Sequence, residues 1–188
     1  MNKKLKFIVT IAWILFSRSY DAYCTFRHTP DLAKEANPLV TIVGIDSWST
    51  LLIILGMLTI YIIYTYYLSV FKTFSLLPSE KNYSFSNIIA YIYLGTKASW
   101  TSIFYKFPKD INRFNHYMGH FMSRCLVYAG FVSTAMWILI NNTNFYKSIH
   151  SPILVYGILI IGTIYICYLC NKSFYKKYLL ETQGEKQD

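Results

Sequence analysis

Apolar residues in this chain come in long unbroken stretches, not in the short alternations of a half-buried strand. Positions 49–71 run for 23 residues without a charge, and positions 153–170 for 18. Positions 121–140 carry one charge, Arg124, near their start. A helix crossing the hydrocarbon core needs about 20 mainly apolar residues, so each stretch predicts a spanning helix. A fourth run, 7–16, is only ten residues long. Helical spacing continues beyond it through Arg18 and Asp21 to Phe26, which predicts a span over 7–26 with a polar outer end. The lysines ahead of this run and the serines behind it also suit a cleaved signal peptide. The continuing amphipathic spacing favours a retained helix.

The stretch 72–118 has a different character. Leu77-Pro78-Ser79-Glu80-Lys81-Asn82 reads as a turn. Residues 84–105 are rich in aromatics but interrupted by Gly95 and Lys97. They predict an amphipathic helix or helix pair lying at the membrane interface, held by Tyr91, Tyr93, Trp100, Phe104 and Tyr105. The polar tail 172–188 is expected to fray. In the third span, Ala129-x-x-x-Ser133 and Gly130-x-x-x-Thr134 put small residues on successive turns, a face suited to close helix packing. The expected fold is therefore all-α: one integral membrane domain, a bundle of about four transmembrane helices plus an interfacial amphipathic segment.

Composition agrees with that class, since 54% hydrophobic against 14% charged residues is far from the roughly 25% charged of an average soluble domain. The net charge of +9 acts first as a topology signal. With the N-terminus in the cytoplasm, 13 of the 18 lysines and arginines lie on the cytoplasmic side. Only Arg27, Lys34 and Lys147 fall in the outer connections, a strong positive-inside bias that predicts both termini cytoplasmic. The basic residues flank spans, as suits contact with anionic lipid. The expected partners are the bilayer and other membrane subunits or a second copy, and nucleic acid is not expected. Cys24, Cys125, Cys167 and Cys170 form no framework, and the lone Cys167-x-x-Cys170 pair reads as packing.

Candidate chemistry concentrates at 18–38. Arg18, Asp21, Thr25 and His28 fall on one face of the first helix, with Arg18 one turn from Asp21. Thr29-Pro30-Asp31 reads as the start of a second, short outer helix that Pro38 closes, with Asp31 and Glu35 on a shared face. Together with Asn37 these are candidate binding residues: oxygen donors for a hard ion, or histidine plus carboxylate for zinc. Their plainer roles are capping for Thr29 and Asp31, solvation for Glu35, and a backbone bond for Asn37. A second stripe, Arg113, His116, His120 and Arg124, enters the third span. His116 and His120 are weak metal candidates, because the metalloprotease pattern needs a glutamate where Tyr117 stands. Arg124 is expected to snorkel toward phosphates. No hydrolase elbow, phosphate-cradling loop or dinucleotide fingerprint is present, and no cofactor is expected.

Asp21-x-x-x-Thr25 followed by Glu35-x-Asn37-Pro38 resembles a pattern in a group of small bacterial membrane proteins of unknown function. The similarity is clearest over 5–70, and Lys106-Phe107-Pro108-Lys109-Asp110 is similar to a longer bacterial version. The resemblance implies a bacterial inner-membrane location and a four-helix layout, and no reaction. The leading expectation is a non-enzymatic polytopic protein, an accessory or partner-binding subunit of an envelope assembly. The alternative is a small transporter or ion-binding protein using Arg18, Asp21, Asp31 and Glu35. A membrane-embedded hydrolase ranks third.

Overall fold

The protein is all-helical in its computed structural model, which describes residues 2–33 and 35–184; no strand occurs among them. The helices are α1 (Lys3–His28), α2 (Pro38–Thr41), α3 (Trp48–Phe71), α4 (Phe85–Leu94), α5 (Ile111–Asn142), α6 (Asn144–Ile149) and α7 (Pro152–Gly184), with a 3₁₀ turn at Trp100–Phe104. Three of them, α3, α5 and α7, are long and apolar enough to cross a membrane. They carry the runs expected at 49–71, 121–140 and 153–170. The first run forms α1, whose 26 residues suffice in length, but its polar second half keeps it outside that apolar class.

Two compact units divide the chain: residues 1–63 with 124–163, and residues 64–123 with 164–188. In the first unit α1 packs on α5. The Trp13 ring stacks on Phe131 at 4.3 Å and its Nε1 donates to the Val127 carbonyl at 3.2 Å. Gly130 lets the two helices approach, because a Cβ there would meet Ser17 and the Trp13 indole. The expected small-residue face is thus a helix contact, made against α1. Ile14 and Ser17 are fully buried in it.

The second unit is built on aromatic packing. Leu76, Leu77, Tyr83, Ile88, Ile92, Tyr117 and Tyr178 form its core. Tyr178 Oη donates to the Glu80 carbonyl at 2.9 Å and accepts from the Tyr83 N–H at 3.1 Å. Tyr117 Oη donates to Asn171 Oδ1 at 3.2 Å. Gly119 lies against the Thr65 backbone so closely that any Cβ would collide with it.

Several expectations change here. α4 has ten residues, about 15 Å at 1.5 Å per residue, half of what a span needs. Ser84 caps its start by accepting from Asn87 N–H, and Gly95 ends it at φ +80°. None of the ten residues is exposed, and Tyr91 and Tyr93 pack against the core. Ile88, Ala90, Ile92 and Leu94 are buried, and the rest of the helix is half-buried. The tail does not fray at 172: α7 continues to Gly184 because Tyr178 is held by Tyr83 and Glu80. Residues 185–188 lie outside the described residues, as does Lys34.

The short outer helix after Thr29 is also absent. α1 runs through His28 and makes Thr29 its C-cap, with the Thr29 N–H donating to the Thr25 carbonyl at 2.8 Å. The proline that follows pushes Thr29 out of helical geometry, to φ −141°. Leu32 then takes φ +60° while its side chain is buried, which excludes a continuing helix. Pro38 opens a helical turn where it was expected to close one. Asn37 caps that turn, its Oδ1 accepting from the Leu39 N–H at 3.0 Å, with Pro38 in the first position.

Candidate functional site: a cavity beside the end of the first helix

In the first unit, the end of α1, the 29–37 connection, α5 and the start of α7 enclose a cavity of about 340 Å³. Asp21, Thr25, His28, Thr29 and Glu35 line it from one side. Ser133, Met136, Trp137 and Ile140 come from α5, and His150, Val155, Tyr156 and Leu159 from the chain around the start of α7. Asp21, Thr25 and His28 reach it because they recur at helical spacing on one face of α1. Glu35 arrives by a different route: the left-handed Leu32 folds the connection back so that Glu35 N–H donates to the Leu32 carbonyl at 3.0 Å.

Asp21 is well satisfied. Its Oδ1 accepts from Trp137 Nε1 at 2.9 Å, and Arg18 Nη1 stands 3.6 Å from Oδ2. Arg18 also donates through Nη2 to Ser133 Oγ at 2.9 Å. Arg18 therefore supports the cavity wall, tying α1 to α5, and neutralises Asp21. Glu35 is different. Its Oε1 accepts from the Asn37 N–H at 2.8 Å, and among the described residues no lysine or arginine pairs with it. Burial raises its carboxyl above the usual range; the Asn37 amide opposes this and the Asp21 charge adds to it.

His28 meets the Trp137 ring edge-on at 5.8 Å. His150 is half-buried, and its Nδ1 is buried with no hydrogen-bond partner. Burial, and then the nearby His28, lower its affinity for a proton. The cavity therefore holds the Glu35 carboxyl group, the His150 imidazole whose protonation burial disfavours, and an indole and a phenol, Trp137 and Tyr156, among its walls.

The remaining candidates lie elsewhere. Asp31 is exposed, and its Oδ1 accepts from the Ala33 N–H at 3.1 Å and the Thr29 hydroxyl at 3.3 Å. It closes the turn as an aspartate commonly does. Asn37 is spent on capping α2. In the second unit His116 stacks on Phe74 at 5.0 Å and His120 meets Phe174 edge-on at 5.6 Å. Among the described residues no three His, Cys, Asp or Glu side chains are grouped closely enough to hold a metal ion. Neither the zinc set around His28 nor one around His116 and His120 is formed.

Sequence reasoning missed Ser133 as the Arg18 partner, and also Trp137, His150 and Tyr156. Trp137 was legible in part, since it lies one turn beyond Ser133 on the same α5 face. His150 and Tyr156 had no local signal. No protein-family model matches this chain, and no curated protein or solved structure does either.

Proposed function

We propose that this integral membrane protein binds a small solute bearing a positive charge in the cavity of its first unit, without chemical conversion. The observation that carries this reading is the half-buried Glu35 carboxyl group, which has no lysine or arginine partner among the described residues, in a cavity walled by Trp137 and Tyr156. A cation supplies the missing charge, and aromatic faces favour it further. At about 340 Å³ the cavity falls at the lower end of small-molecule sites. The absence of a metal-sized ligand group among the described residues favours an organic ammonium over zinc or another tightly held metal ion. Among the described residues neither His28 nor His150 hydrogen-bonds to Asp21 or Glu35, so the acid–base pairing that a hydrolase needs is not assembled.

The chain fits a bacterial cytoplasmic membrane with four spans, α1 being the polar one, and with both termini in the cytoplasm. The charge asymmetry and the resemblance over 5–70 support that reading. The cavity would then open toward the outer face. A subunit role within an envelope assembly has its own support: only 11% of the most apolar window of α7 is buried, leaving a face for lipid or another helix.

The test is titration of the full chain in lipid nanodiscs with butylammonium, choline, sodium and butyrate. An ammonium is expected to bind and raise the melting temperature, and Glu35→Gln is expected to lose that response. Binding of butyrate in place of the ammoniums, or equal ammonium binding by the Gln variant, overturns the reading.

A further inference from the structure

We propose that the 3₁₀ turn of the second unit, with the lysines around it, is a docking surface for an anionic bilayer, seated at headgroup depth. The turn is two-sided. Its inner side buries Ser102, and within the turn the Ser102 hydroxyl pairs with Tyr105 Oη at 3.1 Å. The chain leaving the turn is tied back by the Lys109 N–H donating to the Leu94 carbonyl at 3.0 Å. Its outer side presents Trp100, Phe104, Tyr105 and Phe107, which are 52%, 77%, 68% and 92% exposed.

Four large exposed aromatics on one short segment are far more than the scattered apolar residues of an ordinary surface. Their charge surroundings point to the occupant. Lys97, Lys106 and Lys109 are exposed, and no acidic residue occurs from 97 to 109. The nearest carboxylate, Asp110, is occupied by the Asn112 and Arg113 N–H groups. Aromatic rings that insert and lysines that reach for phosphate are the two components of binding to an anionic membrane surface. Chain connectivity keeps the turn on the membrane-flanking side of α5. Phe107 stands four residues before Ile111, the first residue of that helix, and the apolar run of α5 begins at 121, about 15 Å of helix farther on. Because packing preforms the turn, little ordering entropy opposes docking.

The experiment uses the full chain reconstituted into vesicles of phosphatidylcholine with phosphatidylglycerol. The lipids carry bromine either near the headgroup or at mid-chain, and Trp100→Phe isolates the Trp100 emission by difference. The expected result is several-fold stronger quenching of that difference signal by the shallow label. Each lysine near an anionic surface contributes about a fivefold preference. Combined replacement of Lys97, Lys106 and Lys109 by Gln is therefore expected to lower retention of phosphatidylglycerol over phosphatidylcholine by more than tenfold. No quenching by either label, as for a turn covered by protein or facing water, overturns the proposal. Stronger quenching at mid-chain also overturns it, as does an unchanged lipid preference in the lysine variant.

Discussion

The two units use polar groups differently. In the second, Tyr178 and Tyr117 are spent on neutral or backbone partners inside an aromatic core; Arg113 Nη1 donates to the Leu76 carbonyl at 2.7 Å, its guanidinium lies over the Tyr91 ring at 4.6 Å and its Nε stands 3.8 Å from Asp110 Oδ2. In the first, Arg18 and Trp137 converge on Asp21 beside a cavity where Glu35 has no lysine or arginine partner among the described residues and His150 Nδ1 is buried without a hydrogen bond. A buried polar group that is fully paired stabilises and specifies a fold, whereas one left partly unpaired in a cavity costs stability. Under the proposed function, the first unit is the place where stability is given up for binding.

The largest effect should come from the aromatic core. Tyr178→Ala removes a ring that is 2% exposed together with two hydrogen bonds, and should lower unfolding stability by about 3–5 kcal/mol, read by denaturant titration in detergent. Tyr178→Phe keeps the ring and should lose only about 1 kcal/mol. If both variants cost the same, the hydroxyl and not the packing holds this unit together. Next comes Gly119→Ala, whose new methyl faces the Thr65 backbone and should cost about 1–3 kcal/mol without altering the cavity's ligand response.

The Asp21 and Glu35 variants test the contrast within the first unit. Asp21→Ala leaves the Trp137 N–H and the Arg18 guanidinium short of an acceptor and should destabilise by about 1–3 kcal/mol. Glu35→Gln should do the reverse. Because the folded state raises the Glu35 pKa, its stabilising contribution is complete at acid pH and is lost as pH rises through the folded value. Removing the charge should therefore leave the melting temperature at neutral pH unchanged or higher, while ammonium binding disappears. Equal destabilisation by Asp21→Ala and Glu35→Gln would make both residues part of the frame.

The smallest effect is the pH dependence of binding in the unaltered protein. Ammonium affinity should fall as pH drops toward the raised Glu35 pKa, because the carboxylate takes up a proton. Protonation of His150 below its already lowered pKa works in the same direction. Calorimetric titration at several pH values reads this, and an affinity independent of pH would remove Glu35 from the site.

Much of this architecture was legible along the chain. The three long apolar helices follow from runs of uncharged residues, because a bilayer-length helix needs nothing beyond local composition to be recognised. A close-packing face on α5 was legible as small residues at four-residue spacing, but its partner, α1, was not. The Arg18–Asp21 pair was legible too, because both residues lie one turn apart on one helix. What local pattern misjudged was the segment after Thr29. A threonine, a proline and an aspartate make a sound helix start in isolation, yet here α1 ends on that threonine and the buried Leu32 takes a left-handed conformation. Tyr91 and Tyr93, which have interfacial character by composition, are half-buried and pack against the core of their unit, a contact no local pattern encodes.

By itself, then, the sequence determined the helical class, the membrane-length segments and the identity of the carboxylates worth attention. Each depends on residues within a turn or two of one another. Tertiary structure alone decided which of those carboxylates meet partners from distant helices and which line the cavity. That depends on Trp137, Ser133 and His150, more than 100 positions along the chain from Asp21. No local periodicity encodes such a meeting. It is set by the close approach of α1 and α5 at Gly130 and by the turn at Leu32 that brings Glu35 to the cavity.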